Sequence, residues 1–146
     1  MTEKTGIDLP GESKGIMFDY DVFNELEQAT VAFGQGISVT PMQLVRAVCA
    51  CVNGGTLYKP YLVDKIIDNY SNDIIYEKKP EALRRVISED TSKKVRDALE
   101  TVVTDGGGKN AYIDGYRIGG KTGTAQKAVN GSYVDGGYIL SFIGIA

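Results

Sequence analysis

Apolar residues recur at helical spacing in two stretches of the chain and collect in short β-prone runs elsewhere, so the pattern predicts a mixture of helices and antiparallel strands. The strongest start signal is Thr40-Pro41-Met42-Gln43, which puts a capping hydroxyl at N-cap, proline at N1 and glutamine at N3 and predicts a helix from Pro41. Met42, Leu44, Val45, Ala47, Val48, Ala50 and Val52 lie nearly all round its axis, which predicts a buried helix that Asn53-Gly54-Gly55 ends. A second helix is predicted from about Asp90 to Val103, with Val95, Leu99, Val102 and Val103 on one face and Gly106-Gly107-Gly108 beyond it. A weaker pattern through Phe18, Val22, Phe23 and Leu26 suggests another between Met17 and Val31.

Tyr61 to Ile67 and Ile74 to Tyr76 read as strands of a hairpin turning over Asp68–Asp73. Tyr112 to Ala146 reads as two long strands around a polar loop holding Asn130-Gly131. The final run, Gly137 to Ala146, is apolar enough for a central strand. Ending there would bare a hydrophobic edge that domains normally cover, so the sequence is expected to be part of a longer domain. Thr5 to Gly15, broken by Gly6, Pro10 and Gly11, reads as loop.

The balance of 42% hydrophobic and 24% charged residues over 146 suits one globular domain. A net charge of -3 with no Lys/Arg run longer than two argues against a nucleic-acid partner. Cys49 and Cys51, two apart on a helix, cannot bridge each other and are expected as small core residues. With no histidine, neither a Cys/His zinc site nor a Ser-His-Asp triad can be built, and no metal or cofactor is expected. Leu44 to Val52 is too short to cross a bilayer, so the chain as given is expected to be soluble.

The most specific stretch, Gly115-Tyr-Arg-Ile-Gly-Gly-Lys-Thr-Gly-Thr-Ala-Gln126, satisfies two motif definitions. From Gly115 it fits G-x-x-x-x-G-K-T, in which backbone amides cradle phosphates, but that motif requires a helix to begin at the Lys-Thr pair, whereas Gly123 and β-prone residues follow here. From Lys121 it fits K-T-G, an element of penicillin-binding proteins and class A β-lactamases that lies on a strand.

Together with Thr5-Gly-Ile-Asp-Leu-Pro-Gly-Glu12, Ala32-Phe-Gly-Gln-Gly-Ile-Ser-Val-Thr-Pro-Met-Gln-Leu44 and Asn53-Gly-Gly55, this stretch closely resembles class B penicillin-binding proteins, block by block and in order. The likeness is greatest to the stage V sporulation and division-transpeptidase branch. It implies an α+β chain with part of the penicillin-binding transpeptidase (β-lactamase-like serine) fold: an antiparallel sheet carrying Lys121 and Ser141, packed against the Pro41 and Asp90 helices. Residues 1–146 are expected to be the C-terminal portion of such a domain, without its upstream serine motifs or its last strand and helix. The parent would be a membrane-anchored enzyme on the extracytoplasmic face of a bacterial cell membrane.

In that family a serine in S-x-x-K attacks the D-Ala-D-Ala bond of a peptidoglycan stem peptide, aided by S-x-N. Of Ser13, Ser38, Ser71, Ser88, Ser92, Ser132 and Ser141, none has lysine three residues on or asparagine two residues on, so this chain alone is expected to be inactive. The resemblance implies electrostatic and proton-moving work for Lys121, substrate-carboxylate binding for Thr122 and Thr124, and close approach to the serine segment at Gly123. The Thr124 backbone N–H would be half of an oxyanion hole. The implied partners are the stem peptide and β-lactam antibiotics. Two alternatives stay open: a P-loop-like nucleotide-binding protein and a non-catalytic stem-peptide binder.

Overall fold

The computed structural model describes residues 3–17, 21, 23–129 and 132–146. In chain order the elements are α1 (Glu25–Ala32), α2 (Pro41–Val52), β1 (Thr56–Tyr58), β2 (Lys65–Ile67), β3 (Ile74–Glu77), β4 (Ala82–Arg85), α3 (Glu89–Thr104), a 3₁₀ turn (Lys109–Ala111), β5 (Gly119–Val129) and β6 (Ser132–Ile145). They divide into two units, Met1–Met17 with Ser38–Ser92 and Phe18–Ile37 with Lys93–Ala146. The strands form three antiparallel pairs, β1–β4, β2–β3 and β5–β6, rather than one broad sheet.

In the first unit, α2 begins where its caps dictate. The Thr40 hydroxyl accepts from the Gln43 N–H at 3.2 Å, and the Gln43 side-chain oxygen accepts from the Thr40 N–H at 2.8 Å. The buried Gln43 amide also donates to the Glu3 carbonyl at 2.8 Å, which lays the N-terminal segment along the helix. That segment is loop, as expected, and two carboxylates tie it down. Glu12 accepts from the Thr5 hydroxyl at 2.5 Å, the Thr5 N–H at 2.6 Å and the Gly6 N–H at 3.0 Å, the hydroxyl above all holding its pKa below the usual carboxylate range. Asp8 accepts from the Leu62 and Val63 N–H groups at 2.7 and 3.0 Å. Those two N–H groups are therefore unavailable to a ladder, and β2 starts at Lys65 rather than Tyr61.

At the other end of α2, Asn53 accepts from the Gly55 and Thr56 N–H groups at 3.1 and 3.0 Å. Gly55 has φ +99°, and a Cβ there would run into the Ile87 carbonyl, so the Asn-Gly-Gly block is required twice over. The fully buried Ser92 hydroxyl accepts from the Gly54 N–H at 3.0 Å and donates to the Cys51 carbonyl at 2.7 Å. The β2–β3 hairpin turns where expected, its Asp68 carboxylate accepting from the Tyr70 and Ser71 N–H groups.

Two expectations about α2 fail. Only Gln43 and Ala50 are buried, while Leu44 and Val45 are 41% and 47% exposed. Cys49 is exposed and Cys51 half-buried, so neither is a core residue. The reason is that α2 packs on the short strand β1 within its unit, and no described residue of that unit covers its outer face.

In the second unit, α1 is shorter than the expected helix because Asn24, capping Leu26 and Glu27, fixes its start. Phe18 and Val22 lie outside the described residues. The second predicted helix is α3, begun by the Ser88 hydroxyl accepting from the Thr91 N–H at 3.1 Å and turning Val103 into the core. The expected pair of long strands is β5–β6, although β5 starts at Gly119 because residues 109–118 form the 3₁₀ turn and a loop. The polar loop at Asn130-Gly131 lies outside the described residues. Among the described residues β6 pairs with β5 alone. No helix among them is long and apolar enough to cross a membrane.

Thr40→Ala removes the N-cap of α2 and is expected to lower stability by about 1 kcal/mol, read as a lower Tm with the fold unchanged by circular dichroism. An unchanged Tm would show that the cap does not set this helix.

Candidate active site

Lys121, Thr122, Gly123 and Thr124 are consecutive residues of β5, which runs extended from Gly119 through Gln126. No helix begins at Thr122, and this removes the nucleotide-binding alternative, since a P-loop places its Lys-Thr pair at a helix N-terminus. The strand pairs with β6 in a fixed register: Lys121 opposite Ile143, Thr122 opposite Phe142, Gly123 opposite Ser141 and Thr124 opposite Leu140.

Strand alternation divides the motif between two faces. Gly120, Thr122 and Thr124 share one with Phe142 and Leu140; Gly119, Lys121 and Gly123 share the other with Ser141. The glycines confirm the assignment. A Cβ on Gly120 would strike the Phe142 ring, and one on Gly123 would stand 2.5 Å from the Ser141 hydroxyl. Lys121, Thr122 and Thr124 are exposed, and the Lys121 ammonium donates to the Thr122 carbonyl at 2.7 Å. Among the described residues β5 pairs only with β6, which leaves its other edge, and the backbone groups along it, without a strand partner.

What positions this strand lies just before the motif. Gly119 and Gly120 are buried. A Cβ on Gly119 would stand 3.1 Å from Leu99 of α3, and one on Gly120 would also stand 3.0 Å from the Ile143 carbonyl. The sequence contains this double glycine plainly, but its role as the seat of the strand depends on a helix twenty residues upstream.

A second fastening is electrostatic. Arg117 donates through Nε to both carboxylate oxygens of Glu100 at 3.1 Å and through Nη2 to Oε2, and lies 3.5 Å from Asp97, which in turn pairs with Lys93 at 3.1 Å. The hydrogen bond from Arg117 holds the Glu100 pKa below its usual value, and that from Lys93 does the same for Asp97. These contacts tie the loop ahead of β5 to α3. Nothing in local sequence announces them, because the partners meet only when helix and loop are folded. Among the described residues no group of His, Cys, Asp or Glu could hold a metal ion.

Comparison with known proteins agrees with this geometry. A family model described as the penicillin binding protein transpeptidase domain matches residues 1–146. The chain is 55% identical over 144 residues to stage V sporulation protein D of Bacillus subtilis, covering 99% of this chain and 22% of that protein. It is 36% identical to the "Probable peptidoglycan D,D-transpeptidase PenA" of Neisseria flavescens, covering 94% and 32%. Among solved structures, penicillin binding protein 3 of Mycobacterium tuberculosis superposes with a TM-score of 0.89 at 33% identity, covering 100% of this chain and 34% of that one. The same protein complexed with aztreonam gives 0.88. The chain thus spans between a fifth and a third of the length of these two curated relatives.

Gly120→Ala is expected to cost about 1–3 kcal/mol, because Phe142 and the Ile143 carbonyl must both give way, and to lower the Tm accordingly. The Arg117–Glu100 pair carries a pH signature. Glu100 titrates below its usual value when folded, so its contribution is complete above about pH 4.5 and is lost as pH falls through the lowered pKa. Arg117→Gln should therefore lower Tm at neutral pH and flatten the loss of stability on the acid side, measured by thermal unfolding from pH 7 to 3.

Proposed function

The chain belongs to the penicillin-binding protein transpeptidase family, and from that premise we propose that β5 is the substrate-binding strand of a serine D,D-transpeptidase acting on peptidoglycan stem peptides. The observation that carries the reading is the extended Lys121–Thr124 segment on a strand whose outer edge has no partner among the described residues. An extended peptide can add along such an edge by backbone hydrogen bonding, with its side chains falling alternately to the two faces.

The division of the motif between faces suits a peptide lying there. Thr122 and Thr124 reach round one side of the edge and donate hydroxyl hydrogen bonds to the peptide's terminal carboxylate, each charge-assisted bond contributing about 1.5–3 kcal/mol. Lys121 reaches round the other side and brings its ammonium to the reacting centre, where it raises the local positive potential and helps protons move. Gly123, without a Cβ, leaves that face low, so a nucleophile-bearing segment can approach. The Thr124 N–H serves as one oxyanion donor, a group whose loss costs on the order of 10²–10³ in rate.

The nucleophile comes from sequence outside these 146 residues, since none of the seven serines carries the S-x-x-K pattern. Its Oγ adds to the carbonyl carbon of the penultimate D-alanine; the amide C–N bond breaks, and the serine proton ends on the amine of the departing D-alanine. An acceptor amine then attacks the resulting ester, forming the cross-link and returning the proton to serine. A β-lactam acylates the same serine in place of the peptide, a reading supported by the Mycobacterium tuberculosis relative being complexed with aztreonam. In this reading the whole protein works on the extracytoplasmic face of the cell membrane, where peptidoglycan is made, and is held there by a membrane anchor. The identity of 55% over 144 residues to stage V sporulation protein D supports a sporulation role for the whole protein.

The test is intact mass spectrometry after incubation with a reactive β-lactam, comparing this chain with a protein extended to include the S-x-x-K segment. A covalent adduct is expected on the longer protein alone, formed at least about a hundredfold more slowly after Lys121→Ala. An adduct on the 146-residue chain, or no effect of Lys121→Ala, would contradict this assignment.

A further inference from the structure

On the face of the β5–β6 pair that carries Lys121, the β5 positions are Gly119, Lys121, Gly123 and Ala125, and those opposite them on β6 are Ile145, Ile143, Ser141 and Ile139. Ser141 thus interrupts a row of isoleucines. Its hydroxyl has a defined place: a Cβ on Gly123 would stand 2.5 Å from Ser141 Oγ, so the hydroxyl leans across into the space that Gly123 leaves open. Small residues at both positions make one low strip across the pair, two residues along β5 from Lys121. A β-branched side chain at position 141, the rule elsewhere in the row, would fill that strip. Ser141 and Ile139 are exposed.

We propose that Ser141 is a positioning residue for the reaction, its hydroxyl hydrogen-bonding the segment that carries the nucleophilic serine and setting how that segment seats over Gly123, beside Lys121. The inference rests on the transpeptidase reading and deepens it. In that reading the nucleophile-bearing segment approaches the face that Gly123 keeps low, and the three isoleucines offer it an apolar surface to cover. Covering the face takes the Ser141 hydroxyl out of water, where a hydroxyl without a partner is costly. The other polar side chain among these eight positions is Lys121, whose ammonium donates instead to the Thr122 carbonyl at 2.7 Å. The partner of the Ser141 hydroxyl is therefore a polar group of the incoming segment. No bond to substrate forms at Ser141, and the peptide stays on the open edge of β5, one strand away. Ser141 acts on the placement of the nucleophile and not on the binding of the peptide.

The experiment follows acylation of the full-length, serine-bearing protein by a fluorescent penicillin in stopped flow, separating the dissociation constant of the first complex from the rate constant of acylation. Ser141→Ala is expected to slow acylation about tenfold, the effect of losing one hydrogen bond, with the dissociation constant changed less than about twofold. Ser141→Thr and Ser141→Val add nearly the same bulk and differ in the hydroxyl, so Ser141→Thr is expected to acylate about tenfold faster than Ser141→Val. Acylation of Ser141→Ala at the unaltered rate, with Lys121→Ala still defective, would overturn the inference alone. Equal rates for Ser141→Thr and Ser141→Val would overturn it too, since shape and not the hydroxyl would then matter, and so would a weaker first complex with acylation unchanged. Acylation of Lys121→Ala at the full rate would instead overturn the transpeptidase reading, and this inference with it.

Discussion

The strand that carries Lys121 is seated by two buried glycines just ahead of it. At Gly120 a Cβ would collide with the Phe142 ring of β6, and at Gly119 the backbone runs so close to Leu99 of α3 that a Cβ would stand 3.1 Å away. Helix, motif strand and neighbouring strand are thereby fixed against one another within the second unit. Displacing β5 by the width of a methyl group would carry the hydroxyls of Thr122 and Thr124 with it. The Arg117–Glu100–Asp97 contacts act on the same joint from outside, in water, where ion pairs contribute modestly and more as orientation than as stability.

Alternation then turns one fastened strand into a site with two kinds of chemistry. Hydroxyls line one face and an ammonium the other, with an edge between them that has no partner among the described residues. In the proposed site, a peptide along that edge would meet the hydroxyls with its carboxylate on one side and the ammonium with its scissile bond on the other. This arrangement favours a transpeptidase over a phosphate-binding loop even though both motif definitions fit the same letters, because a P-loop gathers its lysine and amides at a helix start. Extended backbone from Lys121 to Gln126 leaves no such start.

How much could be read in advance follows the range of each interaction. Helices α2 and α3 were legible because their caps are local: Thr40 with Gln43, and glycines beyond each end. The β2–β3 hairpin was legible from its turn residues, and β5–β6 from its alternation and length. Illegible features all join distant residues: β1 with β4, Asp8 with Leu62 and Val63, and Arg117 with Glu100. The misreading of Cys49 and of the α2 face has the same origin, since an apolar helix announces that it wants a partner without saying which residues cover it. The motif residues were found because Lys-Thr-Gly is contiguous. The glycines that seat them and the Phe142 wall were missed because their meaning depends on what packs against them.

A crystal structure of the serine-bearing protein acylated by a β-lactam would decide whether β5 binds substrate. The antibiotic's carboxylate is expected within hydrogen-bonding distance of both the Thr122 and Thr124 hydroxyls and the acyl carbonyl oxygen on the Thr124 N–H, with the Lys121 ammonium directed to the acylated serine. A carboxylate bound away from β5, or an acyl oxygen held by donors that do not include Thr124, would contradict it.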